Sequence, residues 1–313
     1  MLKCLNCKHT LPRELLWAQE PKCPNCLNPI PRCHNFLSFE QKFSSMEDYS
    51  DIKQDTEFLK QEDDASVARF NRYFVPLLRS WQVSLDKRIL CLGCGGGADV
   101  DTLKASGFKE TYGVDFRWRS KWWEMRNRDP RYMFVVDGNG LPFTDYSFDI
   151  IISLGVIEHV GAIDSSAELH SDYRERRKYF IAETLRVLRK GGNLIIACPN
   201  RLCLFDFQHN ISRIKFFSQL AEKTGFSIHS PFDNFLLSYR DILEYAQDVS
   251  SGVEMSLLPI SNYLGFAFRN SAFLRPMSKI FKIYLAILDK APNFIRKSFF
   301  NPYMFCVLTK NKE

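Results

Sequence analysis

The chain has 313 residues, of which 45% are hydrophobic and 25% charged. That is an ordinary globular balance, from which a core can be built without disulfide staples. The net charge of +6 is concentrated: residues 266–313 hold nine Lys or Arg against two Asp or Glu, so the basicity needs a local explanation and does not describe a uniformly basic nucleic-acid binder.

No secretory leader pattern opens the chain, and no apolar run approaches the ~18 residues needed to cross a bilayer. The expectation is a cytoplasmic protein whose ten cysteines are thiols or metal ligands, because the cytosol keeps disulfides rare. Residues 1–35 are rich in Cys, Pro and Asn and lack a long apolar period. Cys4-x-x-Cys7 and Cys23-x-x-Cys26, fifteen residues apart, suit tetrahedral zinc thiolate coordination, with Cys33 and His34 left over nearby. Metal binding would supply the folding energy that such a short unit lacks. Residues 36–64 read as an acidic linker or solvated helix, with nine Asp or Glu against three Lys over 40–64. A helical stripe of Val67, Phe70, Phe74, Leu77 and Trp81 follows, with Pro76 placed to end or kink it.

From Arg88 the pattern alternates. Ile89–Leu92 reads as a strand, Ala98–Ser106 as a helix stopped by Gly107, Thr111–Val114 as a strand and Trp118–Arg128 as a helix. Tyr132–Val136 and Phe148–Leu154 are strands, and Asp172–Leu188 is an amphipathic helix closed by Gly191–Gly192. Leu194–Ala197 is a fifth strand, Tyr239–Ala246 lies in a helix, and Val253–Pro259 and Tyr303–Thr309 are strand-like. Such alternation predicts a parallel sheet with helices on both faces, in a main domain over 65–313.

Gly93-x-Gly95-x-Gly97 makes a glycine-rich turn at the carboxyl end of the first strand, where open α/β sheets bind ligands. Asp115 closes the second strand, placed to accept hydrogen bonds from ribose hydroxyls. These two features alone also satisfy a dinucleotide fingerprint. The later motifs are Asp137-Gly-Asn-Gly-Leu-Pro-Phe143, Ser147-Phe-Asp-Ile-Ile-Ile-Ser-Leu154, Val156-Ile-Glu-His-Val160 and Arg186-Val-Leu-Arg-Lys-Gly-Gly192. Together the series resembles the class I S-adenosylmethionine (SAM) dependent methyltransferases, in the group similar to ubiquinone/menaquinone methyltransferases, over about 65–259 plus a last strand at 303–309. The resemblance implies a Rossmann-like seven-stranded sheet. It also implies SAM held by Gly93, Gly95, Gly97, Asp115, Phe116, Asp137, Gly138, Ser153 and Leu154. In one respect the chain departs from the pattern: Cys91 stands where the family usually has an acid, and Asp99 is the candidate to compensate.

A sulfonium leaves readily, so the enzyme must hold an acceptor in line and, for a hydroxyl or carbon acid, take up a proton. His159, after the fourth strand, is the candidate base. His209 and His229 read as surface or packing residues, and Cys198 as a buried apolar thiol. Two regions are candidates to meet an acceptor. Five basic residues alternate with three Trp over 116–128, a pattern of base or polyanion binding that helix packing explains equally well. The insertion at 260–300 mixes Phe with Lys and Arg and suits an acidic or lipid-linked acceptor or peripheral membrane contact. The favoured acceptor is therefore a small molecule, sugar or lipid-linked group. The alternatives are ribosomal RNA base methylation, since one rRNA guanine methyltransferase family also carries a zinc ribbon, and a non-catalytic binding scaffold.

Overall fold

The computed structural model describes residues 1–40, 56–136, 140–163, 168–206, 209, 227–264 and 277–311. Seven strands form one mixed sheet: β1 Ile89–Leu92, β2 Thr111–Asp115, β3 Met133–Val135, β4 Phe148–Leu154, β5 Leu188–Pro199, β6 Val253–Leu257 and β7 Tyr303–Lys310. Their order is β6-β7-β5-β4-β1-β2-β3, the Rossmann-like class I methyltransferase arrangement. Strand β1 lies parallel between β2 and β4, with Leu92 opposite Val114 on one side and Ser153 on the other. All four β1 residues are buried, as a continuous apolar run in a covered parallel sheet must be. The helices are α1 Thr56–Arg69, α2 Val75–Ser80, α3 Ala98–Ala105, α4 Arg117–Met125, α5 Tyr173–Val187, α6 Tyr239–Val249, α7 Met277–Asp289 and the short α8 Asn293–Arg296.

The chain forms two compact units. The first comprises 1–153, 179–194 and 309–313. Its N-terminal segment lies along the free edge of β3: Ser38 pairs in parallel with Val135, and the Phe39 N–H donates to Val135 O at 2.8 Å. Leu2 pairs with Phe143, and the Lys3 N–H donates to Pro142 O at 2.9 Å. An exposed sheet edge is a liability, and here the chain's own start covers it. Phe39, Phe134, Phe143 and Phe148 then pack edge to face in series, with centroids 6.3, 5.7 and 4.8 Å apart.

Several elements differ from the sequence reading. Helix α1 begins at Thr56, ahead of the boundary expected at 65, while residues 41–55 lie outside the described ones. The expected stripe at 67–81 is interrupted by a π-helical turn over Phe70–Phe74 before α2. Pro76 has no N–H to bond the carbonyl four residues back, and the wider turn accommodates that loss. Val67 is therefore exposed, while Phe70, Tyr73, Phe74 and Leu78 are buried. Gly191 and Gly192 do not close α5 in a separate turn. They lie within β5, which starts at Leu188, directly after the helix.

The second unit comprises 154–178 and 195–308. Helix α6 starts with a capping box, in which Ser238 Oγ accepts from the Asp241 N–H and the Asp241 carboxylate accepts from the Ser238 N–H at 2.7 Å. Asp289, at the end of α7, accepts from the N–H groups of Ile260 and Ser261 at 2.8 and 3.0 Å. Arg177 is 1% exposed and donates to four carbonyls, those of Val160, Asn234, Glu158 and Phe235, at 2.8–3.1 Å.

Gly113 in β2 has no room for a side chain: a Cβ there would lie 2.8 Å from Cys94 Sγ and from Val100 Cγ2. Gly113→Ala is expected to cost about 1–3 kcal/mol by overpacking, read as a lower urea midpoint with an unchanged slope.

Candidate functional site

The loop after β1 is shaped by three left-handed glycines, Gly93, Gly95 and Gly97, at φ 76°, 53° and 81°. The Gly93 and Cys94 N–H groups both donate to Val114 O, at 2.9 and 3.1 Å, which ties the loop to β2. Asp115, at the end of β2, grips the loop directly: Oδ2 accepts from the Gly95 N–H at 2.6 Å and Oδ1 from the Phe116 N–H at 2.8 Å. Phe116 is half-buried and stands at the N-cap of α4. Ser153 is buried at the end of β4 beside Leu92. Leu154 is half-buried and belongs to the second unit. Asp137 and Gly138 lie outside the described residues.

Carboxylates crowd this loop. Burial, opposed by Arg119, pushes the Asp115 carboxyl above its ordinary range. Asp99 is pushed up to about 7, chiefly by burial, although the Val100 N–H and the Cys91 thiol donate to it. An acid thus reaches the Cys91 side chain from α3, next to the strand position where the family pattern has its own. Helix α1 adds Glu62 and Asp63, which sequence reasoning placed in an acidic linker or solvated helix without a role at the loop. Arg119 clasps Glu62 through two bonds of 2.5 and 2.9 Å, and Arg128 and Trp122 hold Asp63 at 2.8 and 3.2 Å.

The basic and aromatic run at 116–128 is divided: Arg119 and Arg128 are half-buried, whereas Arg117, Lys121 and Arg126 are exposed. Arg117 pairs with Glu40, and Arg126 and Arg128 pair with Asp63. Trp122 and Trp123 are buried, which the helix spacing allowed as one of two readings.

At the N-terminus, two turns of the same form bring four thiols together. The Lys8 N–H bonds Cys4 O and the Leu27 N–H bonds Cys23 O, each at 2.9 Å. Lys8 and Leu27 are both left-handed, at φ 61° and 58°. Cys4 Sγ lies 3.7 Å from Cys26 Sγ, and Cys7 Sγ lies 3.6 Å from Cys23 Sγ, with all four sulfurs within 4.8 Å of one another. These spacings are too long for a disulfide, at about 2.05 Å, and match the edge of about 3.8 Å in a tetrahedron with 2.3 Å zinc–sulfur bonds. The donor set therefore fits one tetrahedral metal ion. Cys33 and His34 stand apart from it and instead meet Ser120 Oγ at 3.1 and 2.8 Å.

In the second unit, a 3-10 turn at Ile157–His159 follows β4. His159 is exposed, and its Nε2 lies 3.2 Å from Nε2 of His209. His209 is buried, and its Nδ1 lies 2.9 Å from Asp206 Oδ2, so it is no surface residue. Glu158 is fully buried, with Oε1 3.9 Å from His209 Nε2. Phe235 supports both imidazoles edge-on, at 5.4 and 5.2 Å. Desolvation, and then the charges of His209 and Arg177, lower the His159 pKa to about 4, whereas the Asp206 and Glu158 carboxylates raise that of His209 against its burial. Glu158, His159 and His209 also have donor types that suit a divalent cation. The facing ring nitrogens, however, are already in hydrogen-bond contact with each other. Sequence reasoning singled out His159 and missed its partners. The only hint was the three-residue spacing of Asp206 and His209.

Asp99 gives a pH signature. In the folded chain it keeps its proton to about pH 7, against an ordinary 3.8, so the folded state binds the extra proton between those values. The contribution of Asp99 to stability is therefore full below about pH 4 and is lost as the pH rises through 7. Asp99→Asn should gain stability relative to the parent between pH 4 and pH 8, on the order of 2–4 kcal/mol by urea unfolding. A difference independent of pH would contradict a buried, proton-retaining Asp99.

Comparison with known proteins agrees with this geometry. Residues 90–196 match the sequence model of the methyltransferase domain. A protein of Mycolicibacterium smegmatis named a probable S-adenosylmethionine-dependent methyltransferase is 29% identical over 135 residues, which is 42% of this chain and 46% of that protein. The mouse protein named probable tRNA methyltransferase 9B is 39% identical over 106 residues, 34% of this chain and 20% of that protein. The chain thus matches less than half the length of these relatives. Among solved structures, a Haemonchus contortus phosphoethanolamine N-methyltransferase 2 with bound S-adenosyl-L-methionine superposes with a TM-score of 0.46 at 15% identity, covering 91% of this chain and 62% of that one. The match over residues 90–196, together with the strand order, supports a methyltransferase domain of the class I SAM-dependent type in this chain.

Proposed function

We propose that the chain transfers the methyl group of SAM to a lipid-linked or other small, membrane-associated acceptor. One observation carries the choice of acceptor: the outer face of α7. Ile280, Ile283 and Ile287 are 68%, 62% and 66% exposed, and Phe294, Phe299 and Phe300 just beyond are exposed too. Exposed Lys279, Lys282 and Lys290 flank this ridge. Apolar side chains beside cations on one helix face suit the boundary between headgroups and acyl chains. No described helix is long and apolar enough to cross a membrane. The competing RNA reading draws its support from the relatives named as tRNA methyltransferases.

When bound, SAM supplies a methyl group on a sulfonium, which needs no further activation as a leaving group. The glycines at 93, 95 and 97 leave room for its methionine part, and Asp115 accepts from the ribose hydroxyls. The family resemblance also gives Asp137, Gly138, Phe116, Ser153 and Leu154 to SAM binding, Asp137 as the acid for the adenine amino group. His159 is the base. Its Nε2 faces that of His209 at 3.2 Å, and His209 is held through Nδ1 by Asp206 Oδ2 at 2.9 Å. The four N-terminal cysteines hold one structural zinc ion.

Three outcomes test these assignments. Asp115→Ala should abolish detectable binding of S-adenosylhomocysteine by calorimetry while the chain stays folded; unchanged affinity would remove Asp115 from the site. Elemental analysis of reduced, purified protein should find about one zinc per chain, and Cys7→Ser with Cys26→Ser none. In flotation with vesicles containing anionic lipid, the parent chain should rise with the vesicles. Ile283→Glu with Ile287→Glu should stay at the bottom; equal flotation would contradict the role given to α7.

A further inference from the structure

A continuous set of contacts joins the cysteine group to the cofactor loop. Arg32 opens a short hairpin, Arg32–Cys33 paired with Phe36–Leu37, which follows the second cysteine pair. Its guanidinium donates to Leu16 O at 2.8 Å, Ala18 O at 3.0 Å and Asn35 O at 2.6 Å. Leu16 and Ala18 lie in the stretch that connects the two cysteine pairs, so the hairpin is tied back to the metal-competent group. The other end of the hairpin grips α4. Cys33 and His34 meet Ser120, Asn35 Nδ2 donates to Glu124 Oε1 at 3.0 Å, and Phe36 packs edge-on against Trp123 with centroids 5.1 Å apart. Phe36 and Trp123 are both fully buried.

Trp123 completes the connection. Its indole N–H donates to Gly95 O at 2.8 Å, while Asp115 holds the Gly95 N–H at 2.6 Å. One loop residue is thus fixed at both of its polar backbone groups, on one side by a sheet carboxylate and on the other by an indole that the hairpin braces. Gly95 is left-handed and has no side chain, so without the indole its carbonyl is the freer half of the turn. A loop that must be ordered during binding binds more weakly than one already in place.

We propose that Trp123 is a positioning residue for the SAM loop, and that metal binding at Cys4, Cys7, Cys23 and Cys26 sets cofactor affinity through Arg32, Phe36 and Trp123. This rests on the reading of the loop as the SAM site. It gives the N-terminal unit a function inside its own chain, as a brace for the cofactor pocket.

The test is calorimetric titration of the whole zinc-loaded chain of 313 residues with S-adenosylhomocysteine, beside its melting temperature. Trp123→Phe keeps the aromatic packing and removes only the N–H donor; it should weaken binding about fivefold with little change in melting. Phe36→Leu keeps the core filled and loosens the brace, and should weaken binding in the same direction. Zinc removal under reducing conditions should weaken binding of the parent, and Trp123→Phe should add less than its full effect in the zinc-free chain, because both act on one path. If the parent itself fails to bind, the cofactor reading fails. If the parent binds and Trp123→Phe binds equally well, the positioning role of Trp123 is wrong. If zinc removal leaves the affinity unchanged, the coupling is wrong.

Discussion

The hydrogen bond from the Gly95 N–H to the Asp115 carboxylate, 2.6 Å long, is the constraint around which the first unit is organised. It joins the ends of two adjacent parallel strands and fixes the glycine turn between β1 and α3. Its surroundings follow from it. A buried carboxylate needs compensating donors and cations, and the Phe116 N–H, Arg119 and the start of α4 supply them. Arg119 and Arg128 are in turn neutralised by Glu62 and Asp63 of α1, which draws that helix onto the loop. Arg119 and Arg128 are thus accounted for by the electrostatics around this loop.

The sheet was legible because buried parallel strands are short apolar runs between glycine and helix signals, as Ile89–Leu92 and Phe148–Leu154 illustrate. The loop was legible because glycine adopts left-handed backbone at the least cost, and here it recurs at three alternate positions. Less was legible where a residue's role depends on partners distant in sequence. Arg177 looks like one more charge on a charged helix. Its place in the core is visible only once four carbonyls from other segments converge on it. His209 read as a packing or surface residue, because nothing local announces that Asp206 and His159 meet its two ring nitrogens. The π turn at Phe70–Phe74 was half visible: Pro76 predicted a break, but not that the helix would absorb it by widening and turn Val67 outward.

The N-terminal segment shows how a small metal-competent unit can be integrated with a larger one. It lacks an apolar period of its own, yet Leu2, Phe36, Leu37 and Phe39 are buried, the last two beside the edge strand that the segment covers. Its two turns around Cys4–Cys7 and Cys23–Cys26 order the thiols, while its hairpin engages α4. In the second unit, the exposed isoleucines of α7 and the histidine pair after β4 are the features a small-acceptor methyltransferase reading explains most simply. An RNA enzyme would leave the apolar ridge without a role.

The most direct test of this account is to incubate purified, zinc-loaded chain with methyl-labelled SAM and a detergent extract of its source organism, then divide the products by solvent extraction and nuclease digestion. The account predicts label in a nuclease-resistant, solvent-extractable fraction, lost in Asp115→Ala. Label confined to large RNA that nuclease renders small would contradict it.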